Sequence, residues 1–281
     1  MKILVCSKVS IPAKDRTLPA WEYLRSQGHE VVVEHPASLA VPTSFHPDVL
    51  ISMGVSIMEE TFEALRRFPN VPLYCYNWDC YEWIWTNPRP GEYNYPLYGE
   101  LLKQARQVWV PSYCTGRRTT QWWGITTWTV ILSACPYWDW PYGSTKRDGG
   151  YALCTLREIP DPWWGKFEQA CEELKIHYVT TKHEVSYQEY QEAVAHCRFI
   201  CSPLYELSTG GLTLMEGYYL GKPCLLSNSK WHGGRDYMGD RACYFEHDNY
   251  KQFKFMLKEM YDDPPRLNEE ECRQWVIDNY S

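Results

Sequence analysis

Residues Glu206 to Pro223 read ELSTGGLTLMEGYYLGKP. The apolar run at 199–203 before them and Cys224 to Leu226 after them make the segment one β-α-β step. The paired glycines Gly210 and Gly211 mark a tight turn, a short amphipathic helix starts near Leu212, and Gly221-Lys222-Pro223 stops it. Glu216 sits one turn inside that helix. Glycines at a helix mouth let backbone N–H groups approach an anion closely, and the helix dipole favours negative charge there. Ser208 and Thr209 add hydroxyl donors, and the mouth lies at a strand's carboxyl end, where open α/β sheets bind ligands. A carboxylate at Glu216 suits the paired hydroxyls of a ribose, although a glycine turn and a solvated glutamate would read the same way.

Working outward, strand and helix signals alternate on both sides. Strands are predicted at 2–6, 31–34, 49–53, 73–76 and 108–110, with helices at 18–26, 58–67 and 98–106. A stretch rich in Pro, Gly and Trp at 135–150 reads as a linker. The scheme then repeats, with strands at 151–156, 177–180, 199–202, 224–226 and 242–245 and helices at 165–174, 187–196, 250–261 and 268–279. Strands separated by helices of this length imply parallel sheets with right-handed crossovers. The expected organisation is an N-terminal Rossmann-like domain over 1–140, a second over 141–265, and a C-terminal helix over 266–281, for which the first domain is one candidate packing surface. Two such lobes imply a cleft between their sheets.

Composition narrows the function classes. With 281 residues, 44% hydrophobic and 22% charged, the chain is of ordinary globular type, and no apolar run reaches the roughly 20 residues a bilayer requires. A strand beginning at Lys2 rather than a signal peptide points to the cytoplasm. The twelve cysteines are scattered over strand and helix positions without a C-x-x-C pair, so they read as reduced core thiols. Residues 1–148 hold 14 Lys and Arg against 14 Asp and Glu, which leaves the entire net charge of −7 in residues 149–281. That balance disfavours a binder of bare duplex nucleic acid, although Arg66-Arg67 and Arg117-Arg118 could form a local basic patch. A P-loop is excluded: the glycines of 217–223 are too closely spaced, and Pro223 stands where a magnesium-binding Ser or Thr belongs.

The 206–223 segment resembles the glutamate signature of retaining GT-B glycosyltransferases, in particular family 4 of the nucleotide-sugar transferases. The likeness extends to the strand ending in Arg157, to Ser202-Pro203, to Gly221-Lys222-Pro223 and to Gly239-Asp240-Arg241-Ala242; Gly28-His29-Glu30-Val31 carries a weaker likeness in the first half. It implies an α/β, GT-B fold with two Rossmann-like parallel-sheet domains facing an interdomain cleft, and a metal-independent transfer of sugar from a nucleoside diphosphate donor, UDP- or GDP-linked, to an acceptor hydroxyl with retention. The chain's compactness resembles viral and phage versions, whose acceptor can be a hydroxymethylated base in DNA and whose location is the host cytoplasm. A saccharide or small molecule is the other acceptor class, and the acidic balance favours it. A non-catalytic nucleotide-binding module is the reading from another class.

By the resemblance, Glu216 holds the ribose and Glu206 the donor sugar's hydroxyls. The family's two glutamates flank seven residues, whereas Glu206 and Glu216 flank nine and Ser208 stands at the usual spacing. Either the turn is expanded by two residues or the first glutamate's role is lost. Arg157 would neutralise the departing diphosphate, whose charge grows in the transition state. Lys166 resembles the family's partner lysine or is an exposed helix residue. No D-x-D sequence occurs, which argues against a metal-dependent GT-A enzyme. The family's glycine-rich loop after the first strand is also missing, replaced by the Lys- and Arg-bearing residues 8–17. On the acceptor side, around Lys8 and Gly54, Asp79 either orients or deprotonates a hydroxyl or caps a turn. The 14 Trp and 22 Tyr are expected mainly in core and interface, with sugar or base stacking as the second use.

Overall fold

The computed structural model describes residues 1–7, 18–34, 44–78, 80, 94–132, 149–155, 162–181, 185–206 and 211–280. The chain divides into two compact units, Met1–Ala134 and Cys135–Ser281.

In the first unit a parallel sheet runs β2-β1-β3-β4-β5-β6, formed by β1 (Lys2–Cys6), β2 (Glu30–Glu34), β3 (Val49–Met53), β4 (Leu73–Tyr76), β5 (Gln107–Val110) and β6 (Trp128–Val130). Its helices include α1 (Leu18–Ser26), α2 (Met58–Arg67), α3 (Tyr95–Gln104) and α4 (Tyr113–Trp123). Strands sandwiched between helical layers bury both faces and so read as unbroken apolar runs. The Ile3–Cys6 and Leu50–Met53 runs are accordingly buried. Register is set by pairs such as Ile3↔Val49 and Leu50↔Leu73. Gly54, which follows β3, has φ 88°, and a Cβ there would lie 2.5 Å from Nε1 of Trp78, so the indole closes over a position that only glycine fills. Asn77, at the exit of β4, is fully buried and donates from Nδ2 to Thr119 of α4, which ties that strand end to the helix.

Helix α4 and strand β6 escape the sequence reading. The helix sequence YCTGRRTTQWW is β-branched and aromatic, with a poor intrinsic helix preference. It is held instead by its ends: Ser112 Oγ accepts the Thr115 amide, and Gly124 closes the helix in the left-handed region at φ 71°. Helix α3 starts three residues ahead of its predicted position because Asn94 caps it, with Pro96 in the first turn.

The second unit has the parallel order β11-β10-β9-β7-β8, built from β7 (Ala152–Thr155), β8 (Tyr178–Thr181), β9 (Phe199–Ser202), β10 (Cys224–Ser227) and β11 (Cys243–Phe245). Helices α5 (Pro162–Leu174), α6 (Tyr187–His196), α7 (Leu212–Tyr219), α8 (Gly234–Met238), α9 (Tyr250–Asp262) and α10 (Glu269–Tyr280) complete the unit. From β7 the chain steps outward to β8, then returns past β7 to β9 and proceeds the other way to β10 and β11. The direction therefore reverses between β7 and β9, and right-handed crossovers send α5 and α7 to opposite faces. On one side α5 packs with α9, where the Trp163 and Phe253 rings meet edge to face at 5.5 Å. On the other, α7 lies between α6 and α10.

The expectation that α7 is amphipathic gives way to a helix enclosed nearly all round. Every residue from Leu214 to Leu220 is buried, Glu216 included. Helix α10 supplies the cover, with Trp275 meeting the Tyr218 ring at 5.4 Å, and it is tied to α8 by the Tyr280 hydroxyl, which donates to the Tyr237 carbonyl at 2.7 Å. The Arg241 guanidinium lies 4.1 Å from the Trp275 ring centroid on that side. All eleven described cysteines are free and all but Cys243 are buried, in line with their reading as core thiols.

Candidate functional site

The reversal between β7 and β9 opens the sheet's carboxyl edge at that point. The chain leaving β9 passes Pro203, Leu204 and Tyr205 to Glu206, and resumes after residues 207–210 at Gly211, the N-cap of α7. Gly211 adopts φ 79° and ψ 89°, a conformation open to glycine, and contributes no side-chain cap to the helix mouth. Helix α7 then starts at Leu212, as predicted. Ser208, Thr209 and Gly210 lie outside the described residues, as does Arg157 in the segment after β7, and Asp79 and Lys8 in the first unit.

Glu216 is 1% exposed and Glu206 7%. A carboxylate is seldom buried without polar partners. One partner of Glu216 comes from α6: the Tyr190 hydroxyl donates to its Oε2. Thr213 Oγ1 lies 2.7 Å from the same phenolic oxygen. Because the phenol has one hydrogen and spends it on the carboxylate, the threonine hydroxyl is the donor in the second bond. A directed relay thus runs from Thr213 through Tyr190 to Glu216 and fixes the carboxylate at the first turns of α7. Tyr190 had no local sequence signal, since it lies 26 residues from its partner on another helix.

Lys166 occupies α5, the helix that follows β7. Its Nζ lies 4.1 Å from the Trp163 ring centroid. That ring is buried and packs on the His247 imidazole at 5.1 Å, and the imidazole on the Tyr205 ring at 4.7 Å. A run of tilted ring contacts therefore joins Lys166 to the residue preceding Glu206, and its ammonium rests on an aromatic face. His247, just past β11, is held by Ser227 Oγ at 3.0 Å from its Nδ1.

A second histidine, this one buried, lines the same strand end. His232 is 3% exposed; its Nδ1 accepts the Gly234 amide at 3.1 Å, and its Nε2 lies 3.0 Å from Ser202 Oγ at the end of β9. Acceptance at Nδ1 places the ring hydrogen on Nε2, so the imidazole donates to Ser202. The pair is therefore not a base-activated serine; it is a neutral clamp between the exits of β9 and β10. Burial pushes the imidazole pKa down to about 4. Lys222, in the Gly-Lys-Pro stop, is also buried.

The structure thus gathers Gly211, Leu212, Thr213 and Glu216 on one helix with Tyr190 against it, places Glu206 on the segment leading in, and sets Lys166 on the neighbouring strand's helix. Among the described residues no group of three or more His, Cys, Asp or Glu side chains could hold a metal ion, and no helix is long and apolar enough to cross a membrane.

No family model matches the chain, and no curated protein does. Solved structures do. HepE from Anabaena, determined in complex with UDP and glucose, is similar at a TM-score of 0.69 and 12% identity, covering 100% of this chain and 96% of that one. Sucrose-phosphate synthase from Thermosynechococcus elongatus is similar at 0.69 and 11%, covering 100% and 95%. The catalytic domain of starch synthase IV from Arabidopsis thaliana, bound to ADP and acarbose, is similar at 0.66 and 10%, covering 98% and 94%. At these identities the likeness establishes the fold: α/β, of GT-B class, with two Rossmann-like parallel-sheet units.

Proposed function

We propose that the chain is a glycosyltransferase that moves a sugar from a nucleoside diphosphate donor to an acceptor hydroxyl, with retention and without a metal ion. The observation that carries this reading is the buried, Tyr190-held carboxylate of Glu216 in the first turns of α7, directly after the strand at which the second sheet reverses direction. Glu216 binds the ribose hydroxyls. The backbone at residues 209–212 and the dipole of α7 receive the diphosphate. Glu206 addresses the donor sugar's hydroxyls, and the turn between the glutamates is longer by two residues than the family pattern. Arg157 and Lys166 offset the negative charge that gathers on the departing diphosphate, an effect larger in the transition state than in the ground state.

Complexes of similarly folded proteins with UDP-glucose and ADP support a nucleotide-sugar donor. The acceptor, a saccharide or small molecule, is received by the first unit near Lys8, Gly54 and Asp79. The test is incubation with a panel of UDP- and GDP-sugars in the presence of a chelator, with detection of released nucleoside diphosphate and of the anomeric configuration of any product. Release with at least one donor is expected. Absence of release across the panel, together with absence of nucleoside diphosphate binding, would remove the transferase reading.

A further inference from the structure

Helix α6 carries a second tyrosine beside Glu216. Tyr187 and Tyr190 sit one turn apart on α6, with ring centroids 6.3 Å apart and planes inclined by 24°, a stacked arrangement. Tyr190 spends its hydroxyl on Glu216. Tyr187, on the far side of that ring, is 39% exposed, and Val185 two residues earlier is exposed to the same extent. The turn that presents them is rigid: Ser186 Oγ accepts the Glu189 amide at 3.2 Å while the Glu189 carboxylate accepts the Ser186 amide at 2.7 Å, a reciprocal cap. The fold thus spends a capping box on holding an exposed aromatic face one ring away from a buried carboxylate.

We propose that Tyr187 is the platform on which the donor's nucleobase stacks, and that Tyr190 is a positioning residue linking this platform to the ribose carboxylate. The inference rests on the donor reading above. In a nucleotide the base is joined to the ribose carbon next to the one bearing the 2′-hydroxyl. A ribose held through its hydroxyls by Glu216 therefore places its base beside whatever flanks that carboxylate. On the α6 side the flanking group is Tyr190, and the accessible aromatic face that continues it is Tyr187. Val185 adds an apolar edge. Stacking of this kind tolerates any base, because every base has a π-face. The platform consequently sets affinity for nucleotides over base-free diphosphates rather than a choice between uracil and guanine.

The experiment is calorimetric titration of the full chain with UDP, GDP and ribose 5-phosphate. Tyr187→Ala is expected to weaken UDP and GDP alike by about 10-fold, within the range that loss of one stacked base produces. Binding of ribose 5-phosphate should be unchanged, and Tyr187→Trp should restore the nucleotides. Equal loss for ribose 5-phosphate, failure of Tyr187→Trp to rescue, or unchanged nucleotide affinity in Tyr187→Ala would each overturn the platform. Glu216→Ala separates the two readings. If it abolishes UDP binding while Tyr187→Ala leaves UDP affinity unchanged, the donor site stands and the platform falls; if the unsubstituted chain binds neither UDP nor GDP, both fall.

Discussion

Nε2 of His232 lies 3.0 Å from Oγ of Ser202, so a loop residue following β10 is bonded to the last residue of β9. With its other nitrogen accepting the Gly234 amide, the ring is neutral by construction: protonation at Nδ1 would break that bond and leave an ion in a buried site. The clamp holds the strand exit from which Glu206 departs.

The first prediction follows from that neutrality. The pKa of His232 is about 4 in the folded chain, below the roughly 6.5 of an unfolded histidine, so protons bind the unfolded state more readily. The contribution is complete above about pH 6.5 and is lost as the pH falls towards 4, to a total of roughly 3 kcal/mol at 1.36 kcal/mol per pKa unit. Chemical denaturation of the parent and of His232→Gln between pH 7 and pH 4 should show the parent losing stability more steeply. Parallel profiles would contradict the assignment, since the carboxylates titrating in this range are common to both proteins.

A second prediction concerns the contact of α7 with its sheet. A Cβ on Gly217 would lie 2.0 Å from Cδ1 of Ile200 in β9 and 3.2 Å from Cγ1. Gly217→Ala should destabilise by about 1–3 kcal/mol through overpacking, despite alanine's better helix preference. Ile200→Val removes the obstructing Cδ1 and alone should cost about 0.5–1.5 kcal/mol. In the double variant the two changes should compensate, giving a coupling of at least about 0.5 kcal/mol in a denaturation cycle. Strict additivity would show that the helix shifts rather than resting on Ile200.

The relay into Glu216 yields a third. Tyr190→Phe keeps the ring and deletes the hydrogen given to the carboxylate, leaving a buried charge with one bond fewer. Loss of stability should be about 1–3 kcal/mol, the usual cost of removing one partner of a buried charged group. Under the proposed function UDP should bind more weakly as well, but less weakly than in Glu216→Ala. Unaltered stability and affinity would mean that the phenol is incidental to the carboxylate.

The fourth tests Lys166. Its ammonium rests on Trp163 rather than closing a buried network, so Lys166→Ala should leave the thermal midpoint within a degree or two while lowering turnover at least about 10-fold. Steady-state kinetics with the active donor would decide. Turnover at the parental rate would return Lys166 to the role of an ordinary helix residue.

How far the sequence foretells these features differs by kind of interaction. The strands at 49–53, 73–76 and 199–202 are found at the expected residues, because a strand covered on both faces must be a continuous apolar run bounded by polar or turn residues. The start of α7 was equally legible, since Gly211 occupies a backbone region that excludes other residues. Helix α4 was hidden because its stability resides in Ser112, Gly124 and tertiary packing rather than in its own residues. Tyr190 and His232 were hidden for a different reason. Their partners, Glu216 and Ser202, are 26 and 30 residues away in the chain, and no periodicity encodes which distant hydroxyl or carboxylate a side chain will meet. The enclosure of α7 was missed because a local pattern assigns one face to solvent and cannot foresee α10.

That enclosure has a bearing on how the chain is made. Synthesis proceeds from the N-terminus, so α7 leaves the ribosome before Trp275 exists to cover it. During that interval the greasy flank around Tyr218 is open to chaperones and neighbouring nascent chains, and the helix bearing Glu216 is prone to sticking. Completion of α10 ends that vulnerability.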